Sequence, residues 1–121
     1  MVAVGGAAGA VLRYLLTAAA VAIPGGSTLW GTSVSNLLGC AAIGAVMEYS
    51  LVEGAISPRL AMAIRVGFIG SLTTFSTLTA ESLGLAQSGR MLAAGVYVGI
   101  NLIVGWVLLW GAAALVKGWM A

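Results

Sequence analysis

Four long apolar stretches, separated only by short clusters of Pro, Gly, Ser and charge, account for nearly the whole of this chain. A membrane-spanning helix takes about 20 residues, so 121 residues hold four spans with short turns and little else. The punctuation places the spans at about 2–23, 30–52, 60–86 and 91–116. The first ends at Pro24-Gly25-Gly26-Ser27, the second before Glu53-Gly54, and the third begins after Ser57-Pro58. The expected fold is therefore an all-α integral membrane protein, with residues 1–121 forming one membrane domain. Ala20-Val21-Ala22 resembles a signal-peptidase site, but no basic region precedes it and Arg13 interrupts the apolar stretch, so cleavage is not expected.

Composition narrows the chemistry. Charged residues make up 7% of the chain, against about a quarter in soluble domains, and hydrophobic residues 61%. There is no His, no Asp and a single cysteine, Cys40. Zinc sites, disulfides, His-based triads and aspartyl dyads are thereby excluded within one chain. Five Lys/Arg and three Glu are scattered, with no basic cluster for a nucleic acid. If the termini share one side, that side carries Arg59 and Lys117, with Arg65 slightly inside the third span, and the other carries Arg90. Positive charge in short loops sets insertion direction, and so small a bias permits insertion both ways.

The third span is compositionally the strangest. Residues 71–79 read Ser-Leu-Thr-Thr-Phe-Ser-Thr-Leu-Thr, six hydroxyls in nine residues, with Gly67 and Gly70 just before them. On a continuous helix these would point in nearly every direction, some into lipid. Non-helical backbone at membrane depth is tolerated only beside protein or a watery cavity, so the stretch reads as a helix break lining something polar. The alternative is that the hydroxyls bond their own preceding turn or join neighbouring helices. Elsewhere Thr32, Asn36 and Gly39 share a face of span two, and Tyr97, Asn101 and Gly105 a face of span four. Gly5 and Gly9 have GxxxG spacing, a sign of close packing, and Arg13 lies one turn beyond. A guanidinium there either marks a functional vestibule or snorkels to the interface. Hydroxyl and amide donors, a buried Arg and one aromatic, Phe75, with no acid on spans one or four, suit a small anion better than a cation. The edge of the Phe75 ring carries positive quadrupole charge that can face such an anion.

Three segments carry a resemblance: residues 5–14 (GGAAGAVLRY), Gly31-Thr32 with Asn36-Leu37-Leu38-Gly39, and residues 67–77 (GFIGSLTTFST). Over essentially its whole length the chain resembles the Fluc (CrcB-type) fluoride channels. The resemblance implies an antiparallel dual-topology dimer in a bacterial inner membrane, surrounded by lipid, that exports fluoride passively. It implies a broken third helix whose carbonyls at Gly70 and Thr73 hold a structural sodium ion at the dimer centre. It places the fluoride path at Asn36, Phe75, Ser76, Thr77, Leu78, Tyr97 and Asn101, and Arg13 at the vestibule. Three positions depart from the family pattern: Leu78 replaces a second phenylalanine, Gly105 a frequent hydroxyl, and Ser71 a glycine. Because some members pair two different chains, a homodimer and a non-conducting half of a heterodimer both remain open. A small multidrug-type antiporter also has four spans, but its proton coupling needs a carboxylate in span one, where this chain has only Arg13. A lipid kinase would need clustered acids for magnesium, and a holin-like pore leaves the hydroxyl cluster unexplained.

Overall fold

The chain turns where its small and polar residues permit. The computed structural model describes residues 1–52 and 54–121; Glu53, one of the expected turn residues, lies outside them. Helix α1 spans Val2–Ala22 and α2 spans Thr28–Tyr49. Helix α3 covers residues 58–72, α4 spans Phe75–Gln87, and α5 runs Met91–Met120. Among the described residues all regular structure is helical, with four stretches long and apolar enough to cross a membrane. At the start of α3 the Ser57 hydroxyl accepts from the Leu60 N–H at 3.3 Å and Pro58 fills the first helical position, where a missing N–H costs nothing. Gly25 and Gly89 turn the chain with φ of 75° and 78°, values that side-chain-bearing residues rarely adopt. Helix α2 begins two residues before the expected Trp30, with Ser27 at its N-cap, and ends at Tyr49 rather than 52.

Thr73 and Thr74 separate α3 from α4. Thr73 has φ −82° and ψ 155°, and Thr74 φ −151° and ψ 117°, both extended. Two further segments, Ala63–Ile69 in α3 and Ile100–Val104 in α5, are wound as π-helix. Such wide turns recur at functional sites.

Small residues bring the helices together around this interruption. Helix α1 packs along α3 and α2, and α2 along the second half of α5. Gly9 lies so close to α3 that a Cβ on it would stand 2.1 Å from the Phe68 carbonyl oxygen. On α2, a Cβ at Gly39 would stand 2.1 Å from Cγ2 of Thr73, so this glycine is the seat of the first extended residue. Lipid tails are as apolar as the side chains they would replace, so close van der Waals packing of this kind holds a membrane bundle together.

Gly9→Ala forces a methyl into backbone and should destabilise the fold by about 2 kcal/mol, in the range for overpacked sites. Gly84, which has no atom within 4 Å of an added Cβ, is the control. Gly84→Ala should be neutral or gain up to about 1 kcal/mol from helix propensity. Denaturant unfolding of the two variants in one detergent checks the contrast.

Candidate functional site

The extended pair leaves backbone groups that membrane hydrocarbon cannot satisfy, and three side chains answer them. Asn36, near the middle of α2, accepts from the Thr74 N–H at its Oδ1 (2.8 Å) and donates from Nδ2 to the Thr74 carbonyl (3.3 Å). Arg13 Nε donates to the Ser71 carbonyl at 3.1 Å. Thr74 caps α4, its hydroxyl oxygen accepting from the Thr77 N–H at 3.2 Å. The Gly70 carbonyl, which a continuous helix would pair with the Thr74 N–H, loses that partner to Asn36. Among the described residues no backbone or side-chain donor reaches the carbonyls of Gly70 and Thr73. Gly70, Phe75 and Ser76 are exposed on the single chain, Phe75 to 71%.

Two clefts meet at Thr74. The first, about 370 Å³, is lined by Arg13, Thr17, Thr32, Thr74, Thr77 and Glu81, with the exposed Tyr14 and Thr28. The second, about 270 Å³ and mostly apolar, is lined by Asn36, Cys40, Thr73, Phe75, Leu78 and Asn101 among others. Arg13 is half-buried, lines the first cleft and is fastened to the Ser71 carbonyl.

The hydroxyl cluster divides into residues that satisfy themselves and residues that do not. Thr73 Oγ1 donates to the Ile69 carbonyl (3.1 Å), and Thr79 Oγ1 to the carbonyls of Phe75 and Ser76. Thr74 spends its one hydroxyl proton on Thr77 Oγ1 at 3.0 Å. In its 3.3 Å contact with Ser76 it can then only accept, so the Ser76 proton is committed to Thr74. Thr77 therefore accepts from Thr74 and keeps its own O–H proton free to donate into the Arg13 cleft.

The remaining sequence candidates lie deeper. Leu78 is 3% exposed and packs with Leu85, Ala94 and Tyr97. Its side chain is largely enclosed in its own chain, although it also touches the apolar cleft. Tyr97 and Asn101 are buried at 8% and 5%. The Glu81 carboxylate, from the third span, also lines the Arg13 cleft and accepts the Tyr97 O–H at 2.6 Å. Restarting the helix at Phe75 puts Thr74, Thr77 and Glu81 on one face at three- and four-residue spacing. That spacing was the signal available in the sequence. Arg13 and Glu81 share the cleft without an ion pair between them; none forms among the described residues.

Among the described residues, wholly helical regular structure with four apolar spans defines a multi-pass membrane protein. Residues 1–113 match the family described as CrcB-like protein, Camphor Resistance (CrcB), and the chain belongs to that family. It is 44% identical to the fluoride-specific ion channel FluC of Rhodopirellula baltica, over 98% of this chain and 92% of that one. It is 43% identical to the protein of the same name from Nitratidesulfovibrio vulgaris, over 87% of this chain and 85% of that one. The Rhizobium etli protein of that name is 32% identical over 97% and 94% of the two chains.

One buried group serves no visible purpose. Ser35 on α2 is 0% exposed and its Oγ has no hydrogen-bond partner. An unsatisfied buried hydroxyl costs about 1–3 kcal/mol, so Ser35→Ala should leave stability unchanged or raise it by about 1 kcal/mol. A comparison of unfolding midpoints with the parent tests this.

Proposed function

We propose that this chain conducts fluoride passively through the inner membrane of a bacterium, as an antiparallel dual-topology homodimer with a sodium ion at its centre. What carries the reading is the donor set facing the Arg13 cleft, in a chain 44% identical to a protein named as a fluoride-specific channel. The inner membrane suits an all-helical span set, since outer-membrane spans are closed barrels. A channel breaks and forms no covalent bond, so no catalytic residue is assigned. Neither the antiporter nor a silent heterodimer subunit has an observation in its favour.

Arg13 raises the local anion concentration at the mouth, and the guanidinium does so with one N–H already fixed on Ser71. The ion then meets the free Thr77 proton, which replaces part of its hydration shell beside Thr74. Ser76 holds Thr74 in place and borders the path, and Phe75 presents its ring edge on the exposed face beyond. Leu78 and Tyr97 act from behind this lining, Tyr97 by holding Glu81 away from Arg13.

The dimer is supported by what the single chain leaves uncovered. Unpartnered carbonyls and the exposed Ser76 at membrane depth cannot face lipid. A second copy about a two-fold axis would cover them. The small excess of Arg59, Arg65 and Lys117 over Arg90 permits both insertions. The carbonyls of Gly70 and Thr73 fit a hard monovalent cation, because they are the oxygens that Arg13 and Asn36 leave free. Two copies would supply such oxygens in pairs, and the ion would neutralise their converging dipoles.

Fluoride-electrode recordings from liposomes containing the purified chain should show fluoride efflux with chloride retained. Thr77→Val, which removes a donor to an anion, should lower the flux roughly tenfold or more, and Ser76→Ala clearly less. Phe75→Ile should also reduce it strongly. Equal losses in Thr77→Val and Ser76→Ala would remove Thr77 from the path, and an inert parent chain would overturn the reading. A map of the dimer without density between the Gly70 and Thr73 carbonyls would eliminate the sodium ion.

A further inference from the structure

Every amide proton of the two asparagines is already spoken for inside the chain. Asn36 Nδ2 donates to Asn101 Oδ1 at 3.0 Å and to the Thr74 carbonyl at 3.3 Å. Asn101 Nδ2 donates to Ser33 Oγ at 3.0 Å and to the Tyr97 carbonyl at 3.0 Å. A primary amide has two N–H donors, so in the single chain all four are paired within the protein. Their orientations are also fixed without ambiguity. The Thr74 N–H can only donate, which places Asn36 Oδ1 opposite it; the Tyr97 carbonyl can only accept, which places Asn101 Nδ2 there. Between these two backbone anchors only one arrangement pairs donor with acceptor throughout.

We propose that Asn101 is a positioning residue: it orients Asn36, and Asn36 in turn latches the extended Thr74 backbone beside the permeation cleft. Asn101 sits within the π-wound segment Ile100–Val104, whose widened turn brings its side chain back over the Tyr97 carbonyl and across to α2. The latch spans α2, α4 and α5, whose residues it joins are 38 and 65 positions apart. Both amides are buried, Asn36 at 9% and Asn101 at 5%, so each depends on the other and on its backbone anchor for hydrogen-bond partners. Rotating Asn36 would face its oxygen toward the Thr74 carbonyl and its NH₂ toward the Thr74 N–H. The Asn101 acceptor prevents that rotation. The ion-path part of this inference rests on the proposed fluoride function, but the latch itself does not.

The discriminating measurement is hydrogen exchange at the Thr74 amide of the full chain in membrane mimetic, followed by NMR, with fluoride efflux recorded on the same variants. Thr74 N–H has Asn36 Oδ1 as its partner, so Asn36→Ala and Asn101→Ala should each speed its exchange roughly tenfold or more while buried amides of α1 stay protected. Asn101→Asp keeps an acceptor facing Asn36 and should preserve most of the Thr74 protection. Ser33→Ala, the milder variant should Asn101→Ala not fold, should raise exchange by about threefold. In efflux, the Asn36→Ala/Asn101→Ala double variant should be no worse than the poorer single one, because both act through one contact. Unchanged Thr74 exchange in Asn101→Ala or Ser33→Ala overturns the latch. So do flux losses that multiply in the double variant, since they would mean that Asn101 meets the ion itself. A parent without flux whose Thr74 exchange still responds to Asn101 would discard the channel reading and leave the latch standing.

Discussion

Backbone N–H and C=O groups in hydrocarbon have no water to bond, so a helix interrupted at membrane depth must have its loose ends met from elsewhere in the chain. At Thr73 and Thr74 that requirement organises the neighbouring helices. Asn36 on α2 takes both backbone groups of Thr74, Arg13 on α1 takes the Ser71 carbonyl, and Thr74 itself caps α4. Each of these bonds needs its parent helix close to the interruption, which explains the glycines. Gly9 lets α1 lie against Phe68 and Leu72, and Gly39 lets α2 close over Thr73. The polar residues and the small residues of this chain thus answer one constraint, the former chemically and the latter sterically.

The four spans were legible because membrane helices announce themselves by length and by what separates them. Ser27, Ser57-Pro58 and the Gly-bearing turns put the helix ends within a few residues of the expected ones; α5 runs on to Met120 because nothing after residue 116 breaks it. The faces of Asn36 and Asn101 were legible as well, since helical spacing puts them with buried neighbours. Their mutual hydrogen bond was not. It joins residues 65 positions apart and depends on a π-wound turn that no residue preference in Ile100–Val104 signals. The position of Glu81 was not legible for a related reason: its place in the cleft follows from the phase at which α4 restarts, and that phase is set by the cap at Thr74.

The hydroxyl cluster shows why composition alone could not choose between a pore lining and local satisfaction. The residues divide by what their hydroxyls bond. Thr73 and Thr79 bond carbonyls of their own preceding turn, the ordinary behaviour of hydroxyls in apolar helices. Thr74, Ser76 and Thr77 form a directed chain in which one proton is left over, at Thr77. Direction is what a sequence cannot show, because a hydroxyl is donor and acceptor at once until its neighbours decide. Here Thr74 Oγ1 gives its proton to Thr77 Oγ1 and takes the Thr77 N–H on one of its two lone pairs.

The same reasoning bears on the charges. A cation and a carboxylate facing one cleft would ordinarily pair and cancel, leaving little field for a passing anion. Arg13 is turned toward the Ser71 carbonyl and Glu81 toward the Tyr97 hydroxyl, and no ion pair joins them. Each hydrogen bond gives its charge a neutral partner, so neither depends on the other for compensation, and the cleft keeps separated positive and negative regions. Tyr97 is itself held by burial in the Leu78 and Leu85 cluster. The aliphatic core around Leu78 therefore reaches the electrostatics of the cleft through one phenol. Repacking at Leu78 would act on the cleft by moving Tyr97 and the carboxylate it holds.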